Sequence, residues 1–110
     1  MRRLILSGVL TPDGKTTVKK RTKKELKKPS MYKVIMLNDN YTTMEFVTDI
    51  LKNIFRKSAR EATEIMLSIH NKGSGVAGIY AYDIALTKVK QVHDEAAKNG
   101  FPLKCILEKE

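Results

Sequence analysis

With 110 residues the chain is sized for one compact domain rather than two independent cores. Its single cysteine, Cys105, excludes an internal disulfide and with it a stapled secreted scaffold, and no apolar run approaches the roughly 18 residues of a membrane span. The formal net charge of +9 is unevenly placed, with +8 on residues 1–30 and +1 on residues 31–110, so the basic balance belongs to one segment and does not mark a nucleic-acid-binding domain.

The chain begins Met1-Arg2-Arg3 and runs on through the apolar Leu4 to Leu10, which imitates a secretory signal. That stretch is short, is broken by Ser7-Gly8 and has no small-residue cleavage site after it, so secretion is not expected. A single serine in residues 1–29 argues against plastid import. Residues 11–29, TPDGKTTVKKRTKKELKKP, have no apolar period and many like charges. Such a stretch cannot bury enough surface to offset its ordering entropy. A flexible basic arm over 1–29 is therefore expected ahead of a domain over 30–110, serving as a solubilising tail or as a segment offered to a partner.

At Pro29-Ser30 the composition changes. Met31 to Leu37 is a short apolar, β-prone run that ends in the turn formers Asn38-Asp39-Asn40, and so predicts a strand entering a loop. Thr42 and Glu45 then have capping-box spacing, and Val47, Ile50, Leu51, Ile54 and Phe55 recur with the period of one helical face. Ser58 and Glu61 repeat the capping signal ahead of a second helix with Ala62, Ile65, Met66 and Ile69 on its stripe, stopped by Asn71 to Gly75. Val76 to Tyr80 predicts a second strand weakened by Gly78. From about Ala81 to Lys98 the positions Ile84, Ala85, Val89, Val92 and Ala96 predict a third helix, ended by Asn99-Gly100 and Pro102. Leu103, Cys105 and Leu107 alternate with Lys104 and Glu108 in a last strand with one dry face. The order strand, helix, helix, strand, helix, strand is most economically a small sheet covered by helices on one face, an α+β class.

Enzyme chemistry finds little footing. Cys105 with His70 or His93 could form a thiol nucleophile, but Cys105 occupies a core-facing strand position, where a lone cysteine acts as a small hydrophobe. Two histidines and one cysteine, none at ligand spacing, do not make a zinc site. Gly73-Ser74-Gly75 lacks the strand-loop-helix setting of a phosphate loop. The aromatic-rich motif of an RNA-binding sheet is also missing, which leaves only a salt-sensitive contact through the basic arm.

One constellation is more informative. Asn38 and Asp39 lie in the loop after the first strand, and Met66, Ile69 and His70 share one helical face near the end of the second helix. If that helix end packs beside the loop, an amide, a carboxylate and an imidazole converge next to the thioethers of Met44 and Met66. Such a group suits a cation carried on an apolar body, for instance the α-ammonium of a peptide with its first side chain in a hollow. The same residues also read as an ordinary turn and a packed or exposed histidine.

The stretch KPSMYKVIMLNDNYTTMEFV, the segment EATEIMLSIHNKG and the ending FPLKCILEKE closely resemble the ClpS family, adaptors that deliver N-end-rule substrates to a Clp-family unfoldase and its peptidase. The resemblance spans residues 27–110, with its motifs in order. It implies a three-stranded antiparallel sheet with three helices in the order β-α-α-β-α-β, a non-enzymatic adaptor without a cofactor, and a monomer in the bacterial cytoplasm. The ribosomal stalk protein's C-terminal domain shares that general fold, which keeps a basic-armed ribosome- or nucleic-acid-associated domain as the alternative.

Carried over by residue, the resemblance places α-amino binding on Asn38, Asp39 and His70, and the hydrophobic pocket on Thr42, Met44, Val47, Met66, Ile69 and Leu103. Met44 resembles a gate that excludes β-branched first residues and admits Leu, Phe, Tyr and Trp. Docking to the N-terminal domain of a ClpA-like unfoldase would use Asp83 and Lys88, with the arm offered during hand-off. The implied partners are N-degron peptides and that unfoldase, with no membrane and no specific nucleic acid. Two departures stand out. The family's Asn-Asp-Asp is here Asn38-Asp39-Asn40, one carboxylate fewer beside the ammonium, and its Thr-Pro-Met is here Thr42-Thr43-Met44. Weaker or altered binding is expected from the first, and a looser loop entry from the second.

Overall fold

The computed structural model describes residues 29–110. Residues 1–28 of the stretch expected to form an arm lie outside them. Strand β1 (Met31–Leu37) alternates inward Val34 and Met36, both fully buried, with outward Lys33 and Ile35, as the pleat requires. It is the central strand. Strand β2 (Ser74–Ala81) and strand β3 (Lys104–Lys109) pair antiparallel on either side of it, in the order β2-β1-β3. Val34 pairs with Gly78 and Ile35 with Val76, so Ala77 is the extra residue of a bulge and lies fully buried.

Helix α1 (Met44–Asn53) turns Val47, Ile50 and Leu51 inward, and Phe55 just beyond its end is also buried. Its cap falls one residue later than the sequence signal. The Thr43 side chain accepts from the Phe46 amide at 3.1 Å, whereas the Thr42 hydroxyl donates to Asp39 Oδ2 at 2.7 Å. The Thr42 side chain is turned into the preceding loop and Thr43 is the residue that caps, so the helix starts after Thr43. Thr43→Ala is expected to lower the unfolding free energy by about 1 kcal/mol. The measurement is a lower urea midpoint at unchanged slope, and an unmoved midpoint would count against the cap.

Helix α2 (Ala59–Lys72) has the capping box read from the sequence: Ser58 Oγ accepts from the Glu61 amide and Glu61 Oε1 accepts from the Ser58 amide. It ends on Gly73, whose φ of 91° lies in the left-handed region that glycine adopts without penalty. A Cβ on Gly75 would stand 2.8 Å from Ile69 Cγ1 and 3.3 Å from the Ile65 carbonyl oxygen, so glycine there lets β2 close on α2. Helix α3 (Tyr82–Lys98) follows β2 directly and buries Ala85, Val92 and Ala96 against the sheet. Ile84, expected on that stripe, is about half exposed on the helix flank. The order β-α-α-β-α-β and the three-stranded antiparallel sheet are as the sequence indicates. Among the described residues, no helix is long and apolar enough to cross a membrane.

Candidate functional site

The chain leaves β1 at Leu37, and the Asn38 amide donates to the Gly73 carbonyl at 2.9 Å. This bond joins the start of the loop to the end of α2, in whose last turn His70 sits. The loop is then closed by Asp39. Its Oδ1 accepts from the Tyr41 amide at 2.8 Å and the Thr42 amide at 2.7 Å, while Oδ2 accepts from the Thr42 hydroxyl. Burial pushes the Asp39 carboxyl up, but the bonds from Thr42 and Tyr41 outweigh it and hold it below its ordinary value. A carboxyl lowered in the fold contributes stability above its unfolded value and loses it as pH falls through the folded one, so this closure persists across neutral and mildly acid pH. The next residue, Thr43, caps α1 and presents Met44 and Val47 one helical turn apart.

Between loop, α1 and α2 lies a cavity of about 270 Å³ lined by Asn38, Asp39, Asn40, Thr42, Met44, Val47, Met66, Ile69 and His70. All three groups expected at the amino end and five of the six expected in the apolar part line this one hollow. Val47 and Ile69 are buried and Met66 is half-buried, giving rigid apolar walls, whereas Met44 is 45% exposed at the entrance. Leu103 is the exception. It is 3% exposed in the core just ahead of β3 and does not line the cavity, because the strand alternation that turns it inward turns it to the core. Asn40, not among the expected binding groups, also lines the cavity, in the same turn as Asn38 and Asp39.

The expected docking residues stand apart. Asp83 is exposed in the first turn of α3, where an acidic side chain complements the helix dipole. Lys88 is half-buried, its Nζ donating to the Ile54 carbonyl at the end of α1 at 2.7 Å and lying 5.7 Å from the centre of the Tyr80 ring. Its ammonium therefore ties α3 to α1 as a helix-end partner.

The thiol reading gains no geometry. His93 Nε2 accepts from the Cys105 backbone amide at 3.1 Å, and burial pushes the Cys105 thiol up to about 12, so it stays protonated and unreactive. Among the described residues, no three His, Cys, Asp or Glu side chains are placed to hold a metal ion.

Known proteins converge on one family. The family model described as "ATP-dependent Clp protease adaptor protein ClpS" matches residues 27–106. The ATP-dependent Clp protease adapter protein ClpS of Acetivibrio thermocellus is 55% identical over 96 residues, covering 87% of this chain and 97% of that protein. The adapter protein ClpS 1 of Rhizobium meliloti is 51% identical over 98 residues, covering 89% of this chain and 84% of that one. The structure of Agrobacterium tumefaciens ClpS2 bound to L-phenylalaninamide superposes with a TM-score of 0.73 at 43% identity, over 76% of this chain and all of that one.

Proposed function

Since the chain belongs to the ClpS family of ATP-dependent Clp protease adaptors, we propose that it binds the free α-amino group and the large apolar first side chain of N-degron substrates. It then hands them, in the bacterial cytoplasm, to the N-terminal domain of a ClpA-like unfoldase for degradation. The observation that carries this reading is one hollow with two chemistries: Asn38, Asp39 and His70 at its polar end, and Met44, Val47, Met66 and Ile69 at its apolar end. The molecule bound by the Agrobacterium relative fits both. L-phenylalaninamide carries a free α-amine, a large apolar side chain and an amide in place of its carboxylate, so it reproduces the first residue of a peptide.

The magnitudes suffice without catalysis. A charge-assisted hydrogen bond contributes about 1.5 to 3 kcal/mol net, and burial of one large apolar side chain about the same. Three polar contacts plus one side chain give about 6 to 12 kcal/mol before the cost of association, and micromolar affinity needs about 8. Hand-off from a tether to the unfoldase raises effective concentration without a tighter pocket. Asp83 is the exposed charge we assign to unfoldase docking, and Lys88 supports that surface from beneath.

Titration of fluorescent peptides that differ only in their first residue tests the reading by anisotropy. Saturable binding with Phe or Leu first, and none with Ser or Asp first, is the expected result. Equal binding of all four would sink it, as would co-purification with ribosomes that ignores the first residue.

A further inference from the structure

Resting on that reading, we infer that Asp39 is a positioning residue: its carboxylate builds the polar end of the pocket by holding the loop, and does not itself take up the substrate's amine. A carboxylate offers about four lone-pair sites. Three of them are occupied by the Tyr41 amide, the Thr42 amide and the Thr42 hydroxyl, at 2.7 to 2.8 Å. Those bonds lie between two fixed points. Upstream, the Asn38 amide is anchored to Gly73 at the end of α2. Downstream, Thr43 caps α1.

The segment between these anchors, Asn40 to Thr42, has no backbone hydrogen bond to a strand or helix of its own. Asp39 supplies what a ladder would supply elsewhere. Two cavity residues, Asn40 and Thr42, sit on that segment. With Asp39 spent on the loop, the groups left to meet an ammonium are the Asn38 and Asn40 amide oxygens and the His70 imidazole. Recognition by this chain is therefore carried by dipoles more than by a facing carboxylate.

The discriminating pair is Asp39→Asn and Asp39→Ala. Asparagine removes the charge but keeps an oxygen for both amide donors, and its own amide can donate to the Thr42 hydroxyl oxygen. Alanine removes all three bonds. For a peptide beginning with Phe, Asp39→Asn is expected to bind within about threefold of the parent and Asp39→Ala at least about tenfold more weakly. Equal losses in both variants would overturn the inference and make Asp39 a direct partner of the amine, and so would full retention of binding in Asp39→Ala. Hydrogen exchange of the Tyr41 and Thr42 amides in the peptide-free protein gives a readout independent of any ligand. Exchange should stay slow in the parent and Asp39→Asn and become fast in Asp39→Ala, and any other order overturns the inference. Failure of the parent protein to bind the peptide would instead refute the functional reading, with the exchange result still deciding the role of Asp39.

Discussion

Acetylating the first residue of a Phe-initiated peptide is expected to weaken its binding by at least about a hundredfold. Donors and charge set the size of the effect. A free amine at neutral pH is an ammonium with three N–H donors, and Asn38, Asn40 and His70, which line the cavity, can each supply an acceptor. Acetylation leaves one neutral donor and places a methyl and a carbonyl where the acceptors converge. Loss of two charge-assisted hydrogen bonds at about 1.5 kcal/mol or more each already exceeds the 2.7 kcal/mol of a hundredfold change. The unpaired acceptors left behind add to it. Isothermal titration of the free and acetylated peptides reads the difference directly, and equal affinities would leave the apolar end as the whole of the recognition. The same acceptors imply a pH signature. Binding should fall above about pH 8, as the amine loses its proton.

What could be read from the residues alone divides along the range of the interactions. Ser58 and Glu61 announce their capping box because every partner lies within four residues, and the helical stripe of α1 is visible because burial repeats with the turn. Thr42, with Glu45 three residues on, carries the cap signal in sequence, yet its hydroxyl turns back to Asp39 in the loop and the cap falls to Thr43. The convergence of loop and α2 is not local in sequence, since the bond that makes it, from Asn38 to Gly73, spans 35 positions. Lys88 is a similar case. Its partner, the Ile54 carbonyl, lies 34 residues away, and nothing local distinguishes a docking cation from one that closes a helix end. Leu103 shows the limit of alternation, which separates inside from outside but does not separate a core from the wall of a cavity. The basic balance of the whole chain points to the same lesson, because +8 of the +9 lies on residues 1–30, ahead of the domain that holds the cavity.

Shortening Met44 to alanine is expected to admit peptides that begin with Ile or Val, raising their affinity at least about tenfold, while Phe-initiated peptides lose no more than about tenfold. Met44 is the first residue of α1 and stands half-exposed at the cavity entrance, whereas Val47 and Ile69 are held rigidly in the core. A β-branched first residue carries its second substituent on Cβ, next to the peptide backbone, and so meets the entrance rather than the floor. Removing Cγ, Sδ and Cε opens that level alone. Relief of a clash worth about 1.4 kcal/mol accounts for a tenfold gain, and loss of a thioether contact with a Phe ring costs about 0.3 to 1.5 kcal/mol. Because Met44 lies outside the core, the urea midpoint of the variant should move little, which separates a gate from a folding defect. Anisotropy titrations with Phe-, Leu-, Ile- and Val-initiated peptides on parent and variant read the selectivity ratio. If Ile and Val remain excluded while Phe binds as before, the gate lies deeper, at Val47 or Met66, and the entrance assignment is wrong.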